Sequence, residues 1–293
     1  MSRNRSLVLI PFLLAACATG PEQEVEGPPR KENMVALTEG GSLVRFNAGQ
    51  PQKVTAIGAV KGLEAGENLM GIDYRVNRGV LFGLGSSGRI YTIDAKTAVA
   101  KAVSAAPLAI PLAGGEFGFD FNPAVDRIRI VSNSGQNMRA HPDTGASVDG
   151  NATQDGMQPD GPLAYAAGDR NAGTAPRVVG AGYTYNKQND KVTTNYAIDA
   201  ATGSLVMQGS KEGATPAVSP NTGQLFTVGS LGVAPFSRAS FDIADVNNAA
   251  FVAINHDGAA KTRFYLVDLE SGKATFIGTV GGAERLRGIA IEP

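Results

Sequence analysis

The chain carries no tryptophan, one cysteine and two histidines among its 293 residues. A single cysteine excludes an internal disulfide and a thiolate metal cluster. Two histidines with no thiolate to spare argue against a structural zinc site. Charge is sparse as well: 18% of residues are charged, against about 25% in an average soluble domain. The formal net charge of −1 gives no basic footprint, so a nucleic-acid partner is not expected. Neither the G-x-x-x-x-G-K-S/T phosphate loop nor the G-x-S-x-G nucleophile elbow occurs. Gly83 to Gly88 does match G-x-G-x-x-G, but a strand-like run, Arg89 to Asp94, follows where a nucleotide site needs a helix. That segment reads as a hairpin loop. Helical periodicity is nearly absent. What is abundant is turn chemistry: 37 glycines and 16 prolines, set among 43% hydrophobic residues.

The N-terminus reads as an address. Arg3 and Arg5 precede a short apolar stretch, Leu7 to Leu14, too short to span a bilayer core of about 30 Å. It ends in Leu14-Ala15-Ala16-Cys17, which resembles a bacterial lipobox, and the chain's one cysteine stands at that spot. The resemblance implies removal of residues 1–16 as a signal peptide and lipidation of Cys17. Ala18 follows in place of Asp, which by analogy with Gram-negative sorting implies an outer-membrane lipoprotein facing the periplasm. A multi-acyl anchor buries many methylenes at about 0.8 kcal/mol each, so attachment would be durable. Residues 18–33 are polar and rich in Pro, Gly and Glu, and read, with Cys17, as a flexible tether. The domain is expected over 34–293, where no 18-residue apolar run occurs.

That domain repeats itself. The segment from Gly71 (GIDYRVNRGVLFGLGSSGRIYTIDAKTA) aligns without gaps to the one from Gly118 (GFDFNPAVDRIRIVSNSGQNMRAHPDTG). Asp73 matches Asp120, Gly88 matches Gly135 and Asp94 matches His141, each 47 residues on. This offset falls in the range of four-stranded propeller blades, roughly 40–50 residues. The third strand of the unit recurs as LVRFNAG (43–49), IYTIDAKT (90–97), MRAHPDTG (138–145), NYAIDAATG (195–203) and FYLVDLESG (264–272). Each is an alternating period-two run ending in a turn, and Asp-x-x-Thr/Ser-Gly, complete at 199–203 and 268–272, is turn chemistry. The later copies are wider apart, so insertions are expected near 166–177 and 205–222.

The last strand-like run, Leu286 to Ile291, resembles the first strand of a unit, while Met34 to Thr38 resembles a second strand. The expected fold is therefore an all-β, five-bladed β-propeller closed by N- and C-terminal strands in one blade. Closure would remove sheet edges that invite aggregation. A sixth blade is the alternative, with Leu225 to Val228 as one of its strands.

FDFNPAVDRIRIVSNSGQNMRAHPDTG resembles the central motif of domain-of-unknown-function family 4394, found in secreted bacterial proteins; TVGSLGV (227–233), FDI (241–243) and the closing RGIAIEP also fit. The resemblance covers roughly 34–293. It implies a propeller-like fold and no particular activity. His141 departs from the pattern, where Asn or Asp is expected.

Three groups of candidate functional residues emerge. Asp73, Asp120 and Asp242 hold the same position in first strands (GID, GFD, SFD). First strands line a propeller's channel, so these carboxylates are expected to bond backbone amides of a neighbouring blade, to converge on a hard cation such as Ca²⁺, or to meet another channel ligand. Ser132, Asn133, Gln136, Asn137, His256 and Asp257, with Ser86 and Ser87, are expected on the rim formed by second-to-third-strand loops, as a docking surface. Arg127 and Arg129 share a strand face and call for carboxylate partners, whereas the acidic stretch Asp149 to Asp160 reads as a solvated loop. No residue is identified as catalytic and no cofactor is required, Ca²⁺ apart. The expected function is a non-catalytic binding or assembly scaffold at the cell envelope, for a small molecule or an envelope protein. The alternative is a Ca²⁺-dependent, lactonase-like propeller hydrolase.

Overall fold

The computed structural model describes residue 24 and residues 26–293. Among these residues, twenty-one strands form five sheets. The first blade receives β1 (Asn33–Thr38), β2 (Ser42–Asn47) and β3 (Thr55–Ala59). The second is β4 (Leu69–Arg75), β5 (Val80–Gly85), β6 (Ile90–Asp94) and β7 (Val99–Ala102). The third is β8 (Phe117–Asn122), β9 (Arg127–Ser132), β10 (Asn137–Ala140) and β11 (Ser147–Val148). The fourth holds β12 (Ala164–Tyr165), β13 (Val178–Tyr183), β14 (Asn195–Asp199), β15 (Ser204–Gln208) and β16 (Gln224–Ser230). The fifth is β17 (Phe236–Ile243), β18 (Ala250–His256), β19 (Arg263–Val267) and β20 (Ala274–Thr279). The final strand, β21 (Leu286–Ile291), returns to the first blade and pairs antiparallel with β1, Val35 opposite Ala290. The ring is thus closed by the two ends of the chain, as the terminal sequences imply.

Four of the five runs read as third strands hold that place, β2, β6, β10 and β19. The fifth, 195–203, forms β14, which pairs directly with the inner strand β13 and is the second strand of its blade, because the chain beyond it supplies β15 and β16 as the third and fourth. The turns use the predicted chemistry: the Asp94 carboxylate accepts from the amides of Lys96 (2.7 Å) and Thr97 (3.0 Å), and Asp268 does the same for Glu270 and Ser271 (2.8 and 2.9 Å). Among the described residues there is no sixth blade. Leu225 to Val228 belongs to β16, which pairs with β15 as the fourth strand of the fourth blade, Phe226 opposite Met207. The second insertion is accordingly 209–223, since 205–208 is strand. The first begins earlier than expected and contributes β12, a short parallel addition to the edge of β16.

The core consists of five clusters, one in each cleft between adjacent blades. Both faces of most blades are therefore buried, which is why inner strands such as β13 are buried at every residue. The cleft between the third and fourth blades is the exception in chemistry. Its apolar cluster is the smallest. Beside it lies a polar network: Arg129 donates to Asp160 (2.6 Å), Asn137 (2.8 Å), Asn221 (2.6 Å) and the Tyr183 hydroxyl (3.1 Å). Asp160, read from sequence as part of a solvated loop, is 4% exposed. It is the counter-ion of both Arg129 and Arg139, because a guanidinium buried at 2% exposure requires one.

Cys17 and the expected signal segment lie outside the described residues. The expected tether is held against the propeller from residue 26 onward. Asn47 bonds the amide and carbonyl of Arg30, and Arg30 lies over the Phe251 ring, 5.5 Å from its centroid. Among the described residues no helix is long and apolar enough to cross a membrane.

Candidate functional site

The inner strands β21, β4, β8, β13 and β17 surround the axis in that order. One registered position on each faces it: Ala290, Asp73, Asp120, Gly182 and Asp242. The register follows from the hydrogen bonds. Asp73 accepts from the Phe121 amide (2.9 Å), Asp120 from the Tyr183 amide (3.1 Å) and Asp242 from the Ile291 amide (2.6 Å). In each case the donor is the residue after the equivalent position on the next blade. The carboxylates thus stitch neighbouring blades together. They also converge: one oxygen of each lies within 4.8 Å of the others. Both sequence-derived roles are compatible with this geometry, because a carboxylate has two oxygens.

Asp73, Asp120 and Asp242 are 6%, 4% and 5% exposed. Asp242 uses both oxygens on backbone amides, those of Ile291 and Ile243. Asp73 and Asp120 each keep one oxygen without a hydrogen-bond partner among the described residues. Burial is the main force raising the pKa of all three above the usual carboxylate range. Asp73 is raised further by the charge of Asp242, and Asp120 by those of both neighbours. Asp242, which its two amide donors partly offset, is pushed up to about 7. No arginine or lysine contacts the cluster among the described residues.

Glycine and alanine at the two remaining positions leave room above the carboxylates. A cavity of about 360 Å³ opens there, with Asp73, Asp120 and Asp242 in its floor and Tyr74, Phe121 and Tyr183 in its walls. Its mouth lies among first-to-second-strand loops, bearing Asn77, Asp126, Tyr185, Lys187 and Asp245. At the opposite end the axis is crossed by ion pairs. Arg238 of the fifth blade contacts Glu116 before the third (2.7 Å) and Glu39 of the first, and Arg285 joins Glu39 (3.0 Å). The channel is accessible from one side.

That side is not the rim read from sequence. The second-to-third-strand loops lie at the Glu39 end, and their polar groups are largely occupied by the protein itself. Ser132 bonds Ser134; Asn133 accepts from the amides of Gly115 and Glu116; Gln136 bonds the Ala113 amide and the Pro111 carbonyl. Asn137 is buried between Arg129 and Gln208. His256 ends β18, with Nε2 against the Tyr265 hydroxyl (2.8 Å) and Nδ1 against the Ala234 carbonyl (3.0 Å). Asp257 is exposed and accepts from Ser237; Ser87 bonds Glu67. Sequence reasoning missed the residues of the open mouth, Tyr185 and Asp245 among them, because those loops share no repeated motif.

Fold and site together define a closed five-bladed propeller whose channel is blind at one end and acidic at its floor. The chain belongs to the family described as "Domain of unknown function (DUF4394)", which matches residues 42–290. No curated protein matches it. Among solved structures it is similar to a chain of the nidogen/laminin complex, at 12% identity over 89% of this chain and 98% of that one, with a TM-score of 0.47. A Bacteroides thetaiotaomicron protein of unknown function is 15% identical over 83% of this chain and 55% of its own, with a TM-score of 0.44. The Dos1 propeller is 10% identical over 83% and 58%, with a TM-score of 0.39.

Proposed function

We propose that the protein is a non-catalytic binding scaffold of the cell envelope that takes up a hard cation, such as Ca²⁺, on the floor of its channel. The observation that carries this reading is the convergence of three buried carboxylates with no basic partner among the described residues. Isolated buried charge is costly, so such a cluster is either protonated or neutralised by a cation. Calcium accepts oxygen ligands at about 2.3–2.6 Å with flexible geometry. The unpartnered oxygens of Asp73 and Asp120 are its first ligands, and the cavity above leaves space for water or a ligand group. Calorimetric titration of the purified protein with CaCl₂ at pH 8 is expected to give saturable heat, abolished in Asp120→Asn. Absence of heat in the parent protein would sink the reading.

The second reading is a Ca²⁺-dependent hydrolase of lactone or ester substrates. It is favoured by Asp242, a carboxyl pushed up to about 7 in a concave site, where a general base would operate near neutrality. In that reading the cation polarises the carbonyl. Turnover of a lactone panel that requires Ca²⁺ and is lost in Asp242→Asn supports it; no turnover leaves the binding reading.

The proposed location follows from Cys17 and its flanks: a lipid-anchored outer-membrane protein facing the periplasm, meeting a small molecule or an envelope protein. Fatty-acid labelling in cells is expected to mark the parent chain and not Cys17→Ser.

A further inference from the structure

A second cavity, of about 370 Å³, lies between the third and fourth blades. Arg127, Arg129 and Arg139 all line it, and no carboxylate residue does. Asp160 stands behind the wall as the shared counter-ion of Arg129 and Arg139, each of its oxygens already engaged. One carboxylate therefore serves two guanidiniums, and Arg127 adds a third positive charge. Arg127 is half-buried and, among the described residues, bonds only the main-chain carbonyls of Val125 and Asp126.

Several further side chains of the walls offer spare donors. Asn122 is fixed by its oxygen, which accepts from the amides of Ala124 (2.9 Å) and Val125 (3.3 Å), so its amide nitrogen is spare. Asn221 gives its oxygen to Arg129, which likewise leaves its nitrogen spare. The Tyr183 hydroxyl accepts from Arg129 Nε, leaving its own hydrogen available. Arg139 engages Nε and Nη2, and its Nη1 has no partner among the described residues. A cavity with net positive walls and surplus donors is complementary to an oxyanion, and guanidinium forks suit carboxylate and phosphate oxygens.

We infer that this cleft is an anion-binding site, distinct from the acidic channel, for a small organic molecule bearing a carboxylate or phosphate group. The site does not depend on the cation reading. Only its wall at Tyr183 and Asn122 is shared with the channel cavity.

The test is calorimetric titration of the full chain with inorganic phosphate and, separately, with succinate, against sodium chloride at matched ionic strength. Saturable heat is expected with at least one of the two anions, and the stronger response identifies the headgroup class. Arg127→Gln is expected to weaken that binding about tenfold or more while leaving the unliganded melting temperature unchanged, since Arg127 makes no ion pair. Asp120→Asn is expected to retain it. No saturable heat with either anion overturns the proposal, as does wild-type affinity in Arg127→Gln. Loss of anion binding in Asp120→Asn overturns the claim of a separate site.

Discussion

Gly71, Gly118, Gly180 and Gly288 stand two residues before the channel-facing position of four blades, and Ser240 takes that place in the fifth. A Cβ at Gly118 would lie 2.7 Å from the Ala181 amide nitrogen, and one at Gly180 would lie 2.9 Å from the Phe241 Cβ. Ser240 instead accepts from the Ile289 amide (2.9 Å). The G-x-D repeat thus encodes two things: close approach of neighbouring inner strands, and a carboxylate that caps the next one. Gly180→Ala is expected to destabilise the protein by about 1–3 kcal/mol through overpacking. Gly115→Ala, where a Cβ meets nothing within 4 Å, is the control expected to cost little. Urea denaturation of both variants checks this. The glycines were visible in the sequence; their reason was not, because the clashing atoms belong to another blade.

At the scale of elements, one turn motif does different work in different blades. Asp94 on the second blade is exposed and organises only its own turn. Asp199 opens the same motif in sequence but ends β14, the second strand of its blade; it is fully buried and gathers four donors. These are the amides of Arg177 (2.7 Å) and Ala201 (2.9 Å) and the hydroxyls of Tyr165 (2.5 Å) and Thr202 (2.9 Å). Tyr165 ends β12, so Asp199 anchors the inserted strand to the blade. Asp199→Ala is expected to cost about 3 kcal/mol or more, since each lost bond is worth roughly 1 kcal/mol and buried donors are left unpaired. Asp94→Ala is expected to shift the melting temperature little. Equal effects in the two variants would contradict this assignment. The motif was legible in the sequence, yet the second-strand position of Asp199 and its extra role were not, because Tyr165 arrives from an insertion without repeat signature.

At the scale of the whole molecule, closure and charge decide stability. Removing residues 286–293 takes β21 out of the first blade, leaving the clefts on both sides of it without their inner strand. The truncated chain is expected to lose its cooperative thermal transition, as read by circular dichroism. The acidic floor adds a dependence on pH. A carboxyl whose pKa is higher folded than unfolded, where it is near 4, binds more protons in the folded state between those values. Its contribution is complete below the unfolded pKa and is lost as pH rises through the folded one. Asp242 is pushed up to about 7, with Asp73 and Asp120 raised in the same direction. Without cation, the protein is expected to be more stable at pH 5 than at pH 8. Ca²⁺ is expected to raise the melting temperature mainly at pH 8, where the site is ionised. Asp120→Asn keeps an acceptor for the Tyr183 amide and is expected to flatten both dependences. Melting curves with chelator or CaCl₂ at the two pH values measure this, and a parent protein insensitive to pH over that range would contradict it.

The sequence by itself determined the repeat, the alternating strands with their turns, the meeting of tail and head, and the aspartates that face the axis. These features are written by residues one or two positions apart, through side-chain alternation and backbone-capping turns, and survive wherever the chain goes. Tertiary structure alone decided that Leu225 to Val228 completes a blade, that Asp160 is buried between two arginines, and that the channel opens opposite the Glu39 rim. Those outcomes depend on which loops and insertions meet across clefts. Burial strengthens an ion pair between residues 31 positions apart, Arg129 and Asp160, and no local pattern in the chain specifies that encounter.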